Sequence, residues 1–299
     1  MKQAYIERRF TSESAALLKQ IDTIAQQYLA QGFVLTLRQM YYQLVARNIV
    51  PNTERSYKNV GSLVNDGRLA GMLDWDAIED RTRGFIDRAH WSSGGEILGA
   101  VAKQYHEDLW QGQPIRPFVL VEKEALAGVL EGVCRELDVP LLACRGYPSV
   151  TVVREFAIRR IMPMMEGGDD DQAALIVHLG DHDPSGIDMT RDLAERVALF
   201  CGRDVSLDRI ALNFNQVQAL NLPPNPAKTS DARFDGYSRK FGNSSWELDA
   251  IDPANLVSMA RQRIKREIDN DALTKVKVRI EDVRTRLDAL SRGFDGEGS

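Results

Sequence analysis

Two aspartates one residue apart, Asp181 and Asp183, close the apolar run Ala173-Ala174-Leu175-Ile176-Val177-His178-Leu179 and open the turn Pro184-Ser185-Gly186. A short run rich in β-branched residues reads as a buried strand, so both acids stand at a strand's carboxyl end. In open α/β sheets that edge is where ligands bind. Two carboxylates aiming oxygens into one small volume suit a hard cation. Mg²⁺ takes one or two carboxylates, keeps several waters and leaves room for phosphate, and Mn²⁺ shares its preference for oxygen. Asp also favours turns for reasons unconnected with metals, so an isolated D-x-D decides nothing and the surrounding chain must weigh in.

Stepping along the chain supplies a third acid. Phe118-Val119-Leu120-Val121 is a strand that ends in Glu122-Lys123-Glu124, ahead of a helix from Ala125 to Leu137. Pro140-Leu141-Leu142-Ala143-Cys144 is a second strand, closing in Arg145-Gly146-Tyr147-Pro148-Ser149 before a helix that carries Arg154, Arg159 and Arg160. Strands alternating with helices predict a mostly parallel α/β sheet. If the three strands are parallel and adjacent, Glu122, the loop 145–149 and the Asp181/Asp183 pair gather at one edge. Lys123 and Arg145 are then placed to hold a phosphate. Of the two flanking histidines, His178 reads as a sheet residue and His182 as support for the acids rather than a ligand.

The front of the chain reads as helical. Thr11 or Ser12 caps a helix with Leu17, Leu18, Ile21, Ile24, Ala25, Tyr28 and Leu29 at helical spacing, ended by Gly32. Thr36-Leu37-Arg38-Gln39 is a capping box that starts a second helix, running to about Arg47. On that helix Leu37, Met40, Tyr41 and Leu44 form one apolar stripe. Tyr42 falls off it, beside Arg38 at i, i+4, so Tyr41 is expected in the core and Tyr42 facing outward. A third helix, roughly Thr53 to Gly71, turns Val60, Leu63, Val64 and Gly67 inward. Arg55, Lys58, Asn59, Ser62 and Asn65 lie on its outer face, side chains of the kind a recognition helix offers to DNA phosphates and base edges. Short β-like pieces between Asp74 and Ile86 would complete a winged helix, a helix-turn-helix variant.

Punctuation at Ser92-Ser93-Gly94-Gly95 and at Gln111-Gly112-Gln113-Pro114 sets the expected division into 1–112 and 113–299. The net charge of −5 is unevenly spread: 12 Lys+Arg face 10 Asp+Glu through residue 93, leaving 26 against 33 beyond it. The acidic total therefore does not exclude a local basic face for nucleic acid. No apolar run approaches the roughly 20 residues of a membrane span, and the amino terminus is charged. A cytoplasmic protein without a membrane partner is expected, nucleoid-associated if prokaryotic. Cys134, Cys144 and Cys201 lack C-x-x-C spacing and read as plain buried thiols. Leu273, Val276, Ile280, Val283, Leu287 and Leu290 repeat at 3-4-3-4-3 spacing, which either seams a coiled coil or packs on the parent domain.

Taken together, F-V-L-V-E-K-E at 118–124, C-R-G-Y-P-S at 144–149 and H-L-G-D-H-D-P-S-G at 178–186 resemble the Toprim domain shared by topoisomerases, primases and some nucleases. L-R-Q-M-Y-Y at 37–42 resembles the catalytic helix of the topoisomerase VI A subunit and the related meiotic double-strand-break transesterases. The resemblance runs from about Thr36 to Trp246 and has the right order, winged helix then Toprim. It implies Tyr42 as nucleophile on a DNA phosphodiester, assisted by Arg38 and Glu122. Mg²⁺, or Mn²⁺, would be held by Glu122, Asp181 and Asp183. The chain would stay linked to the 5′ phosphate and release a 3′ hydroxyl. One tyrosine cuts one strand, so breaking double-stranded DNA implies a homodimer, in which by the resemblance the tyrosine of one chain meets the metal of the other.

Gln39 stands where the family has an acid, Ser185 where an aromatic is common, and the segment that engages an ATPase subunit in trans is short. A reduced, free-standing form is therefore expected. Two other readings use the same residues: a Toprim nuclease with water as nucleophile, and a DNA-binding subunit that does not cleave.

Overall fold

The computed structural model describes residues 1–79, 90–165 and 172–294. Helix α1 (Ser12–Leu29) starts where the Thr11 side chain accepts from the Ser14 N–H, and it buries Leu18, Ile21, Ile24, Ala25 and Tyr28. After strand β1 (Leu35–Thr36), both halves of the capping box form at α2 (Leu37–Ala46). The Gln39 N–H reaches Thr36 Oγ1 at 3.3 Å, and the Thr36 N–H reaches Gln39 Oε1 at 2.8 Å. Helix α3 (Glu54–Leu69) is capped by Thr53 and turns Val60, Val64 and Gly67 inward. The three helices share one core with Leu35, Met40, Leu44 and Ile78. Strand β2 (Ile78–Glu79) pairs in parallel with β1. Of the hairpin expected over 74–86, Trp75–Ala77 is a single 3₁₀ turn, and residues 80–86 lie outside the described residues.

Beyond α4 (Gly94–Gln104) the chain forms a mixed α/β unit. Strand β3 (Ile115–Val121), α5 (Glu124–Glu136), β4 (Leu141–Ala143) and α6 (Val150–Phe156) follow in order. A wider helical turn at Ala157–Ile161 joins α6 to α7 (Met162–Met165). Then come β5 (Ala173–Leu179), α8 (Pro184–Cys201) and β6 (Ser206–Ala211). The four strands make one sheet in the order β4-β3-β5-β6, every pair parallel, as the alternation predicts.

Both sheet faces are covered, which is why the strands read as unbroken apolar runs. Val119, Val121 and Val177 pack with Leu126, Leu130 and Val133 of α5 on one face, while Phe118, Leu120 and Ile176 pack with Val153 of α6 and Leu193 and Val197 of α8 on the other.

The remaining elements are α9 (Phe214–Ala219), β7 (Asn225–Pro226), α10 (Phe234–Phe241), β8 (Ser244–Ser245), α11 (Pro253–Lys265) and α12 (Asn270–Phe294). Of the 3-4 stripe of α12, Val276 and Ile280 are buried and Leu290 is exposed; beside it Arg284 and Ser291 donate to the main chain at Tyr105 and Gly95. Trp110, on the amino-terminal side of the expected 112/113 division, is buried in the sheet core and donates to the Leu137 carbonyl. The three cysteines are buried free thiols. Among the described residues no helix is long and apolar enough to cross a membrane.

Candidate active site at the carboxyl edge of the sheet

Register brings the acids together. Val121 pairs with Leu179, so Glu122 and the turn 180–183 leave adjacent strands side by side. Glu122 Oε2 accepts the Asp181 N–H at 2.8 Å. Gly186 is required by this closeness: a Cβ there would collide with the Asp181 carbonyl and sit 3.2 Å from Glu122 Oε2. Arg209 of β6 clamps the turn, donating to the carbonyls of Gly180 (2.8 Å), Asp181 (2.6 Å) and Gly186 (2.9 Å) and to Thr190 Oγ1 (2.7 Å).

The two aspartates have different tasks. Asp183 Oδ1 accepts the Gly186 N–H at 2.6 Å and the Ser185 hydroxyl at 2.9 Å, capping α8. Asp181 is 8% exposed; its Oδ1 accepts the Leu248 N–H at 2.8 Å and its Oδ2 lies 2.9 Å from Lys123 Nζ. That ammonium also contacts Glu247 Oε2 at 2.9 Å and Asp249 Oδ2 at 2.8 Å. Arg38, from α2, pairs with Glu247 and places its Nε 3.6 Å from Asp249 Oδ2. A continuous line of ion pairs thus runs from Arg38 through Glu247 and Lys123 to Asp181, within one chain.

Sequence reasoning missed Glu247 and Asp249, along with Arg209 and Asn225. A main-chain bridge between His182 and Trp246 carries the two acids in, with N–H to O distances of 2.8 and 2.9 Å. The His182 ring packs among Phe214, Tyr237, Phe241 and Trp246. One signal was present: Glu247-Leu248-Asp249 repeats the acid-x-acid spacing of 181–183.

Burial, then repulsion from Asp181, pushes Glu122 up to about 7. Burial raises Asp181 as well, against the pull of Lys123. For Lys123, burial works against the charged form, but Asp249, Asp181 and Glu247 overcome it and the pKa rises. Burial lowers His178 to about 3 and His182 to about 4, so both are neutral.

Tyr42 departs from expectation. It is 4% exposed, as buried as Tyr41, rather than facing solvent. The helical angle off the apolar stripe is correct, but the segment around Asn225 and Glu247 covers that face. Asn225 Nδ2 donates to Tyr42 Oη at 3.3 Å while its Oδ1 accepts from Asn52 at 2.8 Å. The surroundings are polar: Arg38, Tyr41, Tyr42, Asn52, Asn225 and Glu247 line a pocket of about 250 Å³. Burial, then Glu247, raises the phenol to about 12, outweighing the opposite influence of Asn225, Arg38 and Lys123. Arg38 acts in the direction expected of it and does not prevail in this arrangement.

Lys123, expected as a phosphate contact, is engaged by three carboxylates. Arg145 and Arg154 are exposed near the same edge, Arg145 paired with Glu124. Arg55, Lys58, Asn59 and Ser62 are exposed on α3, with Lys58 2.7 Å from Glu54.

Among the described residues no three His, Cys, Asp or Glu side chains are grouped as a metal ion would need. The donor chemistry nevertheless fits a hard cation. All the acids offer oxygen, Asp249 Oδ1 is buried with no hydrogen-bond partner among the described residues, and Glu122 is raised by burial and then by its like-charged neighbour. Comparison of the chain with protein-family models and with curated proteins finds no match.

Proposed function

We propose that the chain cleaves DNA by tyrosine transesterification, as a free-standing winged-helix plus Toprim protein. The observation that carries this reading is the ion-pair line joining the helix of Tyr42 to the acids of the sheet edge. A phenol and an oxygen-rich cluster joined in this way suit phosphoryl transfer to tyrosine.

In the proposed step Tyr42 Oη bonds to a backbone phosphorus and loses its proton, the bond from phosphorus to the 3′ oxygen breaks, and that oxygen is protonated. Arg38, one turn from Tyr42, favours the phenolate and offsets charge on the phosphate. Glu122, its pKa raised by burial and by Asp181, would either hold the cation or, in place of that role, transfer a proton. Glu122, Asp181 and Asp183 would hold Mg²⁺ or Mn²⁺, which when bound supplies Lewis-acid stabilisation at the phosphate. Arg55, Lys58, Asn59 and Ser62 on α3 would meet the duplex, with Arg145 and Arg154 on flanking phosphates. Two chains, one per strand, would make a double-strand break.

The burial of Tyr42 favours one alternative, hydrolysis by water at the same acids. Incubation with supercoiled DNA and Mg²⁺ or Mn²⁺, followed by denaturation, separates them. The reading predicts protein covalently attached to DNA 5′ ends, lost in Tyr42→Phe. Nicking that persists in Tyr42→Phe without any adduct would establish the nuclease instead.

A further inference from the structure

Lys123 Nζ stands 2.8 to 2.9 Å from Asp249 Oδ2, Asp181 Oδ2 and Glu247 Oε2, the position a bound cation would take among those oxygens. We propose that Lys123 is the resident counter-ion of the divalent-cation site, and that Mg²⁺ or Mn²⁺ binds by displacing its ammonium. This rests on the cation-dependent reading above and adds to it a built-in competitor.

Three observations carry the proposal. First, of the three carboxylates proposed to hold the metal Lys123 already engages Asp181 Oδ2, together with Glu247 and Asp249, and oxygens spaced around an ammonium stand further out than the roughly 2.0–2.1 Å of Mg²⁺ coordination. The ammonium must leave before they close. Second, five acids, Glu122, Asp181, Asp183, Glu247 and Asp249, stand against three cations, Lys123, Arg38 and Arg209. Even with Glu122 protonated the acids exceed the cations, so the site attracts a further positive charge. Third, Asp249 is 1% exposed and its Oδ1 lacks a hydrogen-bond partner among the described residues, a costly state for a buried carboxylate that coordination or a coordinated water relieves.

The lysine stem is flexible, so the ammonium can withdraw without moving the backbone. Released beside the cation, it becomes available to a DNA phosphate, so cation and DNA should each strengthen the binding of the other.

Mn²⁺ binding to the 299-residue chain without DNA, followed by the electron paramagnetic resonance of free Mn²⁺, tests this in wild type, Lys123→Met and Lys123→Arg. Lys123→Met should bind about tenfold more tightly or better, the scale of effect that neighbours exert on metal affinity. Lys123→Arg should bind no more tightly than wild type. Thermal melting in parallel guards against misfolding. If Lys123→Met melts early, Mn²⁺ should raise its midpoint more than that of wild type. Equal or weaker Mn²⁺ binding by Lys123→Met, or a midpoint that Mn²⁺ does not raise, overturns the displacement while leaving covalent cleavage by Tyr42 to stand or fall on its own assay. Absence of Mn²⁺ binding in every variant overturns both the displacement and the cation role of these acids.

Discussion

The tyrosine pocket on α2 and the acid cluster at the end of β3 and β5 both bury polar groups, by opposite means. In the pocket the tyrosines and asparagines are neutral and hydrogen-bonded, although Arg38 and Glu247 line it as well. Tyr41 Oη accepts the Thr53 N–H at 2.8 Å, and Tyr42 Oη takes its bond from an amide that Asn52 fixes in turn. In the cluster the groups are charged and outnumber their counter-charges. Neutral polar burial costs little once hydrogen bonds are made, whereas buried charge is tolerated only while every partner stays. The pocket is therefore a place where a side chain can change with small effect on the fold, and the cluster is not.

Substitutions can break that contrast. The largest effect is expected from Arg209→Ala, which removes a buried guanidinium bonded to three carbonyls of the acid turn. A loss of about 3–5 kcal/mol is expected in urea unfolding. Glu247→Ala removes the close partner of Arg38 while Lys123 keeps Asp181 and Asp249, and with Glu247 a quarter exposed a smaller loss of roughly 1–2 kcal/mol should result. A change below about 0.5 kcal/mol at either position would mean that the charges are solvated rather than buried.

pH sharpens the comparison further. His178 is buried with its pKa lowered to about 3, so the unfolded chain binds the extra proton as pH falls below 6.5. Its contribution to stability is whole above 6.5 and is lost toward acid at up to about 1.4 kcal/mol per pH unit. Glu122 works the other way: its raised pKa makes stability grow as pH falls from 7 toward 4.5. The total is flattened, so the difference between wild type and His178→Asn, measured at pH 7 and pH 5, is the informative quantity. It should shrink as pH falls. The smallest effect belongs to the pocket: Tyr42→Phe loses one weak hydrogen bond, and about 1 kcal/mol or less is expected by the same unfolding assay.

The same contrast explains what could be read from the sequence. Strand and helix periodicity located β3, β4 and β5, and the turn residues after them put Glu122, Asp181 and Asp183 at one edge. Capping chemistry located α2 to within a residue. These are local signals. Glu247, Asp249, Asn225 and Arg209 are brought in by contacts between distant segments, above all the bridge of His182 to Trp246, and no local period marks such pairing. The burial of Tyr42 escaped for the same reason. A helical wheel tells which way a side chain leaves its helix, not what else packs against that side. Trp110, which the glycine and proline punctuation put ahead of the division, lies in the sheet core for a related cause: Gly and Pro punctuate turns, and a turn is not always a domain boundary.

The central claim is that Tyr42 and the acid cluster form one electrostatic unit within a single chain. The most direct measurement is the titration of Tyr42 by ¹³Cζ-tyrosine NMR, in wild type and in Glu247→Gln. The account predicts a phenol well above its ordinary value, near 12, that moves down when Glu247 loses its charge. A Tyr42 that titrates near 10 and is indifferent to Glu247 would contradict it.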